Sequence, residues 1–130
     1  MTNNKAKNQE RVYDLEERTA KFAEAVIEFC HGLPKNVVTT PIINQLIKSG
    51  TSMGANYCEA DDAESIKDFC HKMGIAKKEA RETKYWLRMV AVAEPSSKEK
   101  AQALGQEAKE LHLIFSASIN SARHHSSINH

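Results

Sequence analysis

The stretch TTPIINQLIKSGTSMGANYCEAD, residues 39–61, carries Ile43, Leu46, Gly50, Met53 and Tyr57 at alternating spacings of three and four. An α-helix turns once every ~3.6 residues, so these positions share one face. Thr39 or Thr40 suits the N-cap, because a hydroxyl oxygen accepts a free first-turn N–H. Pro41 fits the first turn, where its missing N–H costs nothing. The stretch therefore predicts an amphipathic helix ending near Asp61.

The same rhythm continues in both directions. Upstream, Leu15, Thr19, Phe22, Val26, Phe29 and Leu33 repeat it behind an Asp14/Glu17 capping box, and the turn Gly32-Leu33-Pro34-Lys35-Asn36 stops it. Gly32 suits the residue just past a helix and Pro34 cannot continue the hydrogen-bond ladder. Downstream, Asp61 or Asp62 is the expected cap of a third helix. Its stripe is Ile66, Phe69, Met73, Ala76, Ala80, Thr83, Leu87 and Val90, ending near Glu94 before Pro95. A serine cap after Pro95-Ser96-Ser97 opens a fourth, with Ala101, Leu104, Ala108, Leu111, Phe115 and Ala122 on one face, reaching about Arg123. No segment alternates with period two, and the connections are short, so neighbouring helices are expected to be antiparallel. The fold class predicted is all-α, an antiparallel up-down-up-down four-helix bundle over residues 14–123, with a flexible N-terminal segment 1–13 and a flexible C-terminal tail 124–130.

Composition agrees with one water-soluble domain. The chain has 130 residues, 41% hydrophobic and 27% charged, and no run of about 18 apolar residues that could cross a bilayer. The polar start MTNNKAKNQERVYD lacks the ~7–15-residue apolar core of a secretory signal, so the expected location is the cytoplasm and no membrane partner is expected. Cys30, Cys58 and Cys70 are odd in number and include no C-x-x-C pair, so they read as reduced thiols buried for structural reasons. Lys and Arg total 18 against 17 Asp and Glu, a formal net charge of +1. Only the distribution of charge can then speak for or against a polyanionic partner.

One constellation raises a metal question. Glu28-Phe29-Cys30-His31 and Asp68-Phe69-Cys70-His71 resemble the Glu-x-x-His ligands of di-iron bundles, with Glu59 and Glu107 or Glu110 available from the other helices. At about 100° per residue the Glu, Asp and His point away from the core stripes. In an up-down-up course the two motifs also lie at opposite ends, roughly 20 Å apart at ~1.5 Å per residue. No metal or cofactor is therefore expected. Glycine-rich phosphate loops, His-Glu-x-x-His and Gly-x-Ser-x-Gly are missing from the sequence, and neighbouring Cys and His on a helix diverge too far to pair, so no catalytic residue is expected.

Three lines of side chains remain. Gln45, Ser49, Ser52, Asn56 and Glu59 run beside the apolar face of the second helix. With Gly50 and Gly54, these short groups would let another helix approach while Gln45 and Asn56 bond across the contact; the functional alternative is a ligand or nucleic-acid contact. On the third helix, Lys67, Lys77, Lys78, Arg81, Lys84 and Arg88 form a basic flank, readable as a solvated face with ion pairs to Glu79 and Glu82, or as a nucleic-acid-binding stripe. The other flank, Ile75, Glu82, Trp86, Met89 and Ala93, is a second apolar line that a monomer does not need, and it is the expected oligomer interface. The bland alternative is a tryptophan lying across the bundle edge.

The run Gln45-Leu46, Ser49, Ser52, Asn56, Glu59, followed by Lys67-Asp68-Phe69 and by Ala76, Glu79, Ala80 and Glu82, resembles the four-helix-bundle family named for proteins encoded in intervening sequences of 23S rRNA genes. The resemblance covers roughly residues 14–123. It implies a left-turning up-down-up-down bundle, homopentamers in some relatives and no known catalytic residues. A more distant branch is similar to accessory proteins of diversity-generating retroelements, which are basic pentamers that bind a reverse transcriptase and nucleic acid; the near-neutral charge here departs from that branch. The expectation is a non-enzymatic homo-oligomer, a pentamer by resemblance, acting as a scaffold or accessory protein. Its expected partners are its own copies and either RNA or DNA, met through the basic flank, or a nucleic-acid-processing protein. The competing expectation is a protein–protein interaction module with no nucleic-acid role.

Overall fold

The computed structural model describes the backbone of residues 4–128 and the side chains of residues 15–126. Four helices make up the fold: α1 (Asn4–His31), α2 (Thr39–Asp61), α3 (Ile66–Ala93) and α4 (Lys98–Ile128), with a single 3₁₀ turn at Pro95–Ser97 between the last two. No strand occurs among the described residues. Paired contacts across the α1–α2, α3–α4 and α1–α4 seams run in opposite directions. Gly50 of α2 faces Val26 of α1 and Gly54 faces Thr19. Lys72 of α3 pairs with Glu59 of α2 at 3.1 Å. The His112 ring of α4 meets the Lys77 carbonyl of α3 at 3.3 Å, and Arg123 stands beside Ile66 and Lys67 at the start of α3. Arg18 of α1 reaches Glu107 and Glu110 of α4, while Glu28, ten residues on, lies by Glu99.

The centre is filled by Leu46, Met53, Met73, Leu87, Leu111 and Phe115, all almost fully buried. Tyr57 stacks on Phe115 with ring centroids 6.4 Å apart. Every apolar position read on α2 is buried, and on α3 all but two, since Phe69 is half-buried and Ile66 is exposed. On α4, Ile119 joins the core one turn beyond Phe115. Three buried hydroxyls are satisfied within their own helices, Thr19 donating to the Glu16 carbonyl, Ser49 to Leu46 and Thr83 to Glu79, while buried Thr39 donates to the Pro34 carbonyl in the preceding loop. This back-bonding lets short polar side chains sit in a dry core.

Helix ends depart from the sequence expectations in instructive ways. Because α1 is already helical at Asn4, Asp14 stands inside the helix and not at its cap; the Asp14 side chain lies outside the described residues. Among the described residues no glycine has positive φ, so Gly32 does not end α1 in the left-handed conformation. Instead the Lys35 ammonium donates to the Cys30 and Leu33 carbonyls. For α2 the capping group is Asn36, whose Oδ1 accepts from the N–H of Val38 and of Thr39, while the Asn36 N–H donates to Thr39 Oγ1. For α3 the cap is Ser65, not Asp61 or Asp62: its Oγ accepts from the Asp68 N–H at 3.0 Å. Ser96 and Ser97 donate their hydroxyls back to Glu94. Finally, α4 continues past Arg123 to Ile128.

The four helix-interior glycines divide into two kinds. A Cβ on Gly50 would lie 3.1 Å from Val26 Cγ1, and one on Gly54 would lie 3.1 Å from Thr19 Oγ1 and 3.2 Å from its Cβ, so α1 needs both to be bare. At Gly74 and Gly105 no atom beyond the helix's own backbone and the adjoining residues lies within 4 Å of such a Cβ. Leucine at Gly54 should push α1 outward and destabilise the fold by about 1–3 kcal/mol. Alanine at Gly74 should stabilise it by up to about 1 kcal/mol through helix propensity alone. Thermal unfolding should rank Gly74→Ala above the parent and Gly54→Leu below it.

Along the α1–α4 seam, Arg18 Nη2 bonds Glu107 Oε1 at 2.7 Å and its Nε bonds Oε2 at 2.8 Å. The bonds from Arg18 hold the Glu107 carboxyl below the ordinary carboxylate range against the opposing effect of burial. A depressed carboxyl contributes stability that is full above its unfolded pKa and lost as pH falls through the folded one. With side chains 32% and 30% exposed, the pair is worth about 1 kcal/mol. Glu107→Gln should lower the melting temperature at pH 7, and the gap to the parent should close on acidification below the carboxylate range.

Candidate nucleic-acid interface

Rotating each apolar stripe inward fixes where the charges go. All three carboxylates of α4 turn toward α1: Glu107 and Glu110 accept from Arg18, and Glu99 shares a cleft with Glu28 of α1. On α3, Glu79 lies close enough to Lys48 of α2 to be influenced by its charge; burial first, then Glu82, raises the Glu79 carboxyl, and Lys48 opposes them. The seam between α3 and α4 keeps the cations.

Two clefts follow that seam. The first, of about 820 Å³, is walled by Lys67, His71, Gly74, Lys78 and Arg123 among others. The second, of about 680 Å³, has Lys84, Arg88 and Lys98 at its rim, Leu87, Ala91, Val92, Pro95 and Ala101 as an apolar lining, and Gln102, Gly105 and Gln106 along α4. Neither wall includes a carboxylate. The six α3 cations singled out in the sequence thus share one side of the helix; Lys77 is half-buried and the other five are exposed. Among the described residues no ion pair within 4.0 Å reaches any of them, so the pairing of this flank with Glu79 and Glu82 is not formed.

Tyr85 is the residue that the sequence reading missed. It is 53% exposed and stands one turn from both Arg81 and Arg88, with its ring edge-on to Trp86 at 5.0 Å. An exposed aromatic among cations sets a flat ring face beside positive charge, the combination on which single-strand binders stack bases. The signal was present as the spacing Lys78, Arg81, Tyr85, Arg88.

The other expected lines are placed differently. On the α2 line only Ser49 is buried; Ser52 and Asn56 are half-buried and Gln45 and Glu59 are exposed. Ser52 donates to the Lys48 carbonyl and Asn56 to the Ser52 carbonyl, so the Asn56 amide bonds its own helix and does not cross a contact. The close approach itself is made by Gly50 and Gly54. On the far flank of α3, Trp86 rests partly against the chain's own core and donates its indole N–H to Glu82 at 3.3 Å. Ile75 is not confined to that flank, since it also lines the first cleft with Lys67 and Lys78; Ile75, Met89 and Ala93 are half-buried and Glu82 is exposed.

Glu28 and His71 open onto different clefts at opposite ends of the bundle, and Glu59, Glu107 and Glu110 are taken up by Lys72 and Arg18. Among the described residues no three His, Cys, Asp or Glu side chains converge as metal ligands. All three cysteines are free, but only Cys30 is buried; Cys70 is half-buried and Cys58 exposed. Burial pushes the Cys30 thiol up to about 11, a protonated and unreactive state. No helix of the described residues is long and apolar enough to cross a membrane.

The fold and its surface define a class: an all-helical bundle whose chemistry-bearing side chains gather as a basic seam. The family model described as 23S rRNA-intervening sequence protein matches residues 11–117, and the chain belongs to that family. It is similar to a solved structure of a protein with unknown function from the S23 ribosomal protein family of Bacteroides thetaiotaomicron VPI-5482, at 29% identity. That match has a TM-score of 0.72 and covers 81% of this chain and 97% of the other. No curated protein matches the chain.

Proposed function

We propose that this protein is a non-enzymatic, self-assembling helical bundle that binds RNA or DNA along the α3–α4 seam. The observation that carries the reading is the seam itself, where cations from two helices stand together without carboxylates and without ion pairs among the described residues. Cations left in water are free to exchange counterions for phosphates, which is the main source of nucleic-acid affinity. The formal charge of +1 does not oppose this, because the acidic groups occupy other faces. If five copies assemble, as the family resemblance implies, the same face repeats around the ring and a modest patch is multiplied. Binding of a labelled oligonucleotide should weaken steeply with salt, and Lys78→Glu combined with Arg81→Glu should lower affinity at least about tenfold and flatten the salt slope. A flat salt response in the parent, or no effect of the double reversal, removes nucleic acid from the account.

Self-assembly through the Ile75, Glu82, Trp86, Met89 and Ala93 flank draws support from the half-buried Trp86 and its edge contact with exposed Tyr85. Such aromatic anchors are typical of interface centres. Trp86→Ala should lower the mass measured by light scattering. An unchanged mass assigns Trp86 to the intrachain core that it already touches. A protein-binding module without a nucleic-acid role remains the second reading, favoured by the same aromatic pair. It predicts capture of a protein partner by a surface that Lys78→Glu leaves intact.

A further inference from the structure

We infer that the cleft above Gly105 is a slot for an unstacked base, so that the protein prefers single-stranded nucleic acid to duplex. This rests on the proposed nucleic-acid reading and adds to it a site and a strand preference. The cleft combines three features that phosphate attraction alone does not require. Its α3 lining is apolar at Leu87, Ala91, Val92 and Pro95, and Val92 is left 75% exposed in the chain by itself. Its rim is cationic, with Lys84, Arg88 and Lys98 placed around that lining. Two exposed amides one turn apart, Gln102 and Gln106, stand at its α4 wall and offer both donors and acceptors.

Gly105 ties these features together. A glycine inside a helix costs about 1 kcal/mol relative to alanine, and at Gly50 and Gly54 the close approach of α1 requires it. At Gly105 nothing beyond the helix's own backbone and the adjoining residues lies within 4 Å of where a Cβ would be, although the residue is buried. The chain's own packing does not call for the missing side chain, and its absence leaves room in the cleft for a flat group. A base fits that room: its faces lie against the aliphatic lining, its polar edge meets Gln102 and Gln106, and its phosphates reach the cations at the rim. The volume of about 680 Å³ falls within the ~300–1,000 Å³ range of small-molecule sites. Bases in a duplex are stacked and paired, so only a strand whose bases can splay out reaches that lining.

Filling the cleft without touching a charge isolates this claim. A Cβ at Gly105 meets open space and raises helix propensity, so Gly105→Ala keeps the fold, and circular dichroism with a melting curve checks that Gly105→Leu does so before its binding is compared. Binding of full-length protein to labelled oligouridine and oligothymidine strands, and to blunt DNA and RNA duplexes of equal length, would be compared at fixed low salt. The parent should favour single strands; Gly105→Leu should lose at least about tenfold in single-strand affinity, Gly105→Ala less, and duplex binding should not change. Equal affinity of Gly105→Leu and parent for single strands overturns the slot while leaving the seam as a phosphate track, and so does an equal loss on both substrates. A fall in oligomer mass on Gly105→Leu also overturns it, by assigning the cleft to a second copy of the chain. Failure of the parent to bind any of the four probes overturns the nucleic-acid reading and the slot together.

Discussion

Four helical faces with the same three-four rhythm must close on one dry column of Leu46, Met53, Met73, Leu87, Leu111 and Phe115. Burial of these side chains is the main favourable term in the fold, and each is worth ~1.5–3 kcal/mol on transfer from water. The requirement does more than hold the bundle together, because it sets the rotation of every helix about its own axis. Once Phe115 and Leu111 face inward, Glu107 and Glu110 can only face α1, where Arg18 meets them. Once Leu87 and Ala80 face inward, the lysines and arginines of α3 lie toward α4 or water. The basic seam is a by-product of core packing that a pattern of charges along the sequence then exploits.

Much of this was legible in the residues. Periodicity located all four helices and nearly all of the core, since a face that repeats every three and four residues over several turns has few other ways to be buried. Helix ends were less legible, for a local reason. Several side chains near each boundary are chemically able to cap, and only the loop path decides between them: Asp61, Asp62 and Ser65 all qualify, and Ser65 wins because its extended backbone aims Oγ at the Asp68 N–H. The α3 half of the seam was readable as a flank of cations. The α4 half was not, because Lys98 and Arg123 are far apart in sequence and gain meaning only when α4 runs back along α3. Tyr85 and Gly105 were overlooked for a related reason, their significance being the space around them.

The two seams of α4 show how differently one helix can be used. Toward α1 it presents carboxylates to a single bidentate arginine, a directional contact that fixes register. Toward α3 it presents lysine, arginine, amides and a bare glycine, and the wall stays open. α1 is meanwhile held chiefly by α2, through a close approach that Gly50 and Gly54 permit. The clefts thus lie along the most extensively packed pair of helices, and the arginine pair bridges the least extensively packed one.

A formal charge of +1 describes a sum, and the sum hides an arrangement. With cations and no carboxylate lining the two α3–α4 clefts, and the carboxylates of α4 turned toward α1, charge is spread unevenly over the surface. Its isoelectric point is then a poor guide to its behaviour near a charged surface. Local charge, not the sum, then decides which side of the molecule a charged surface meets.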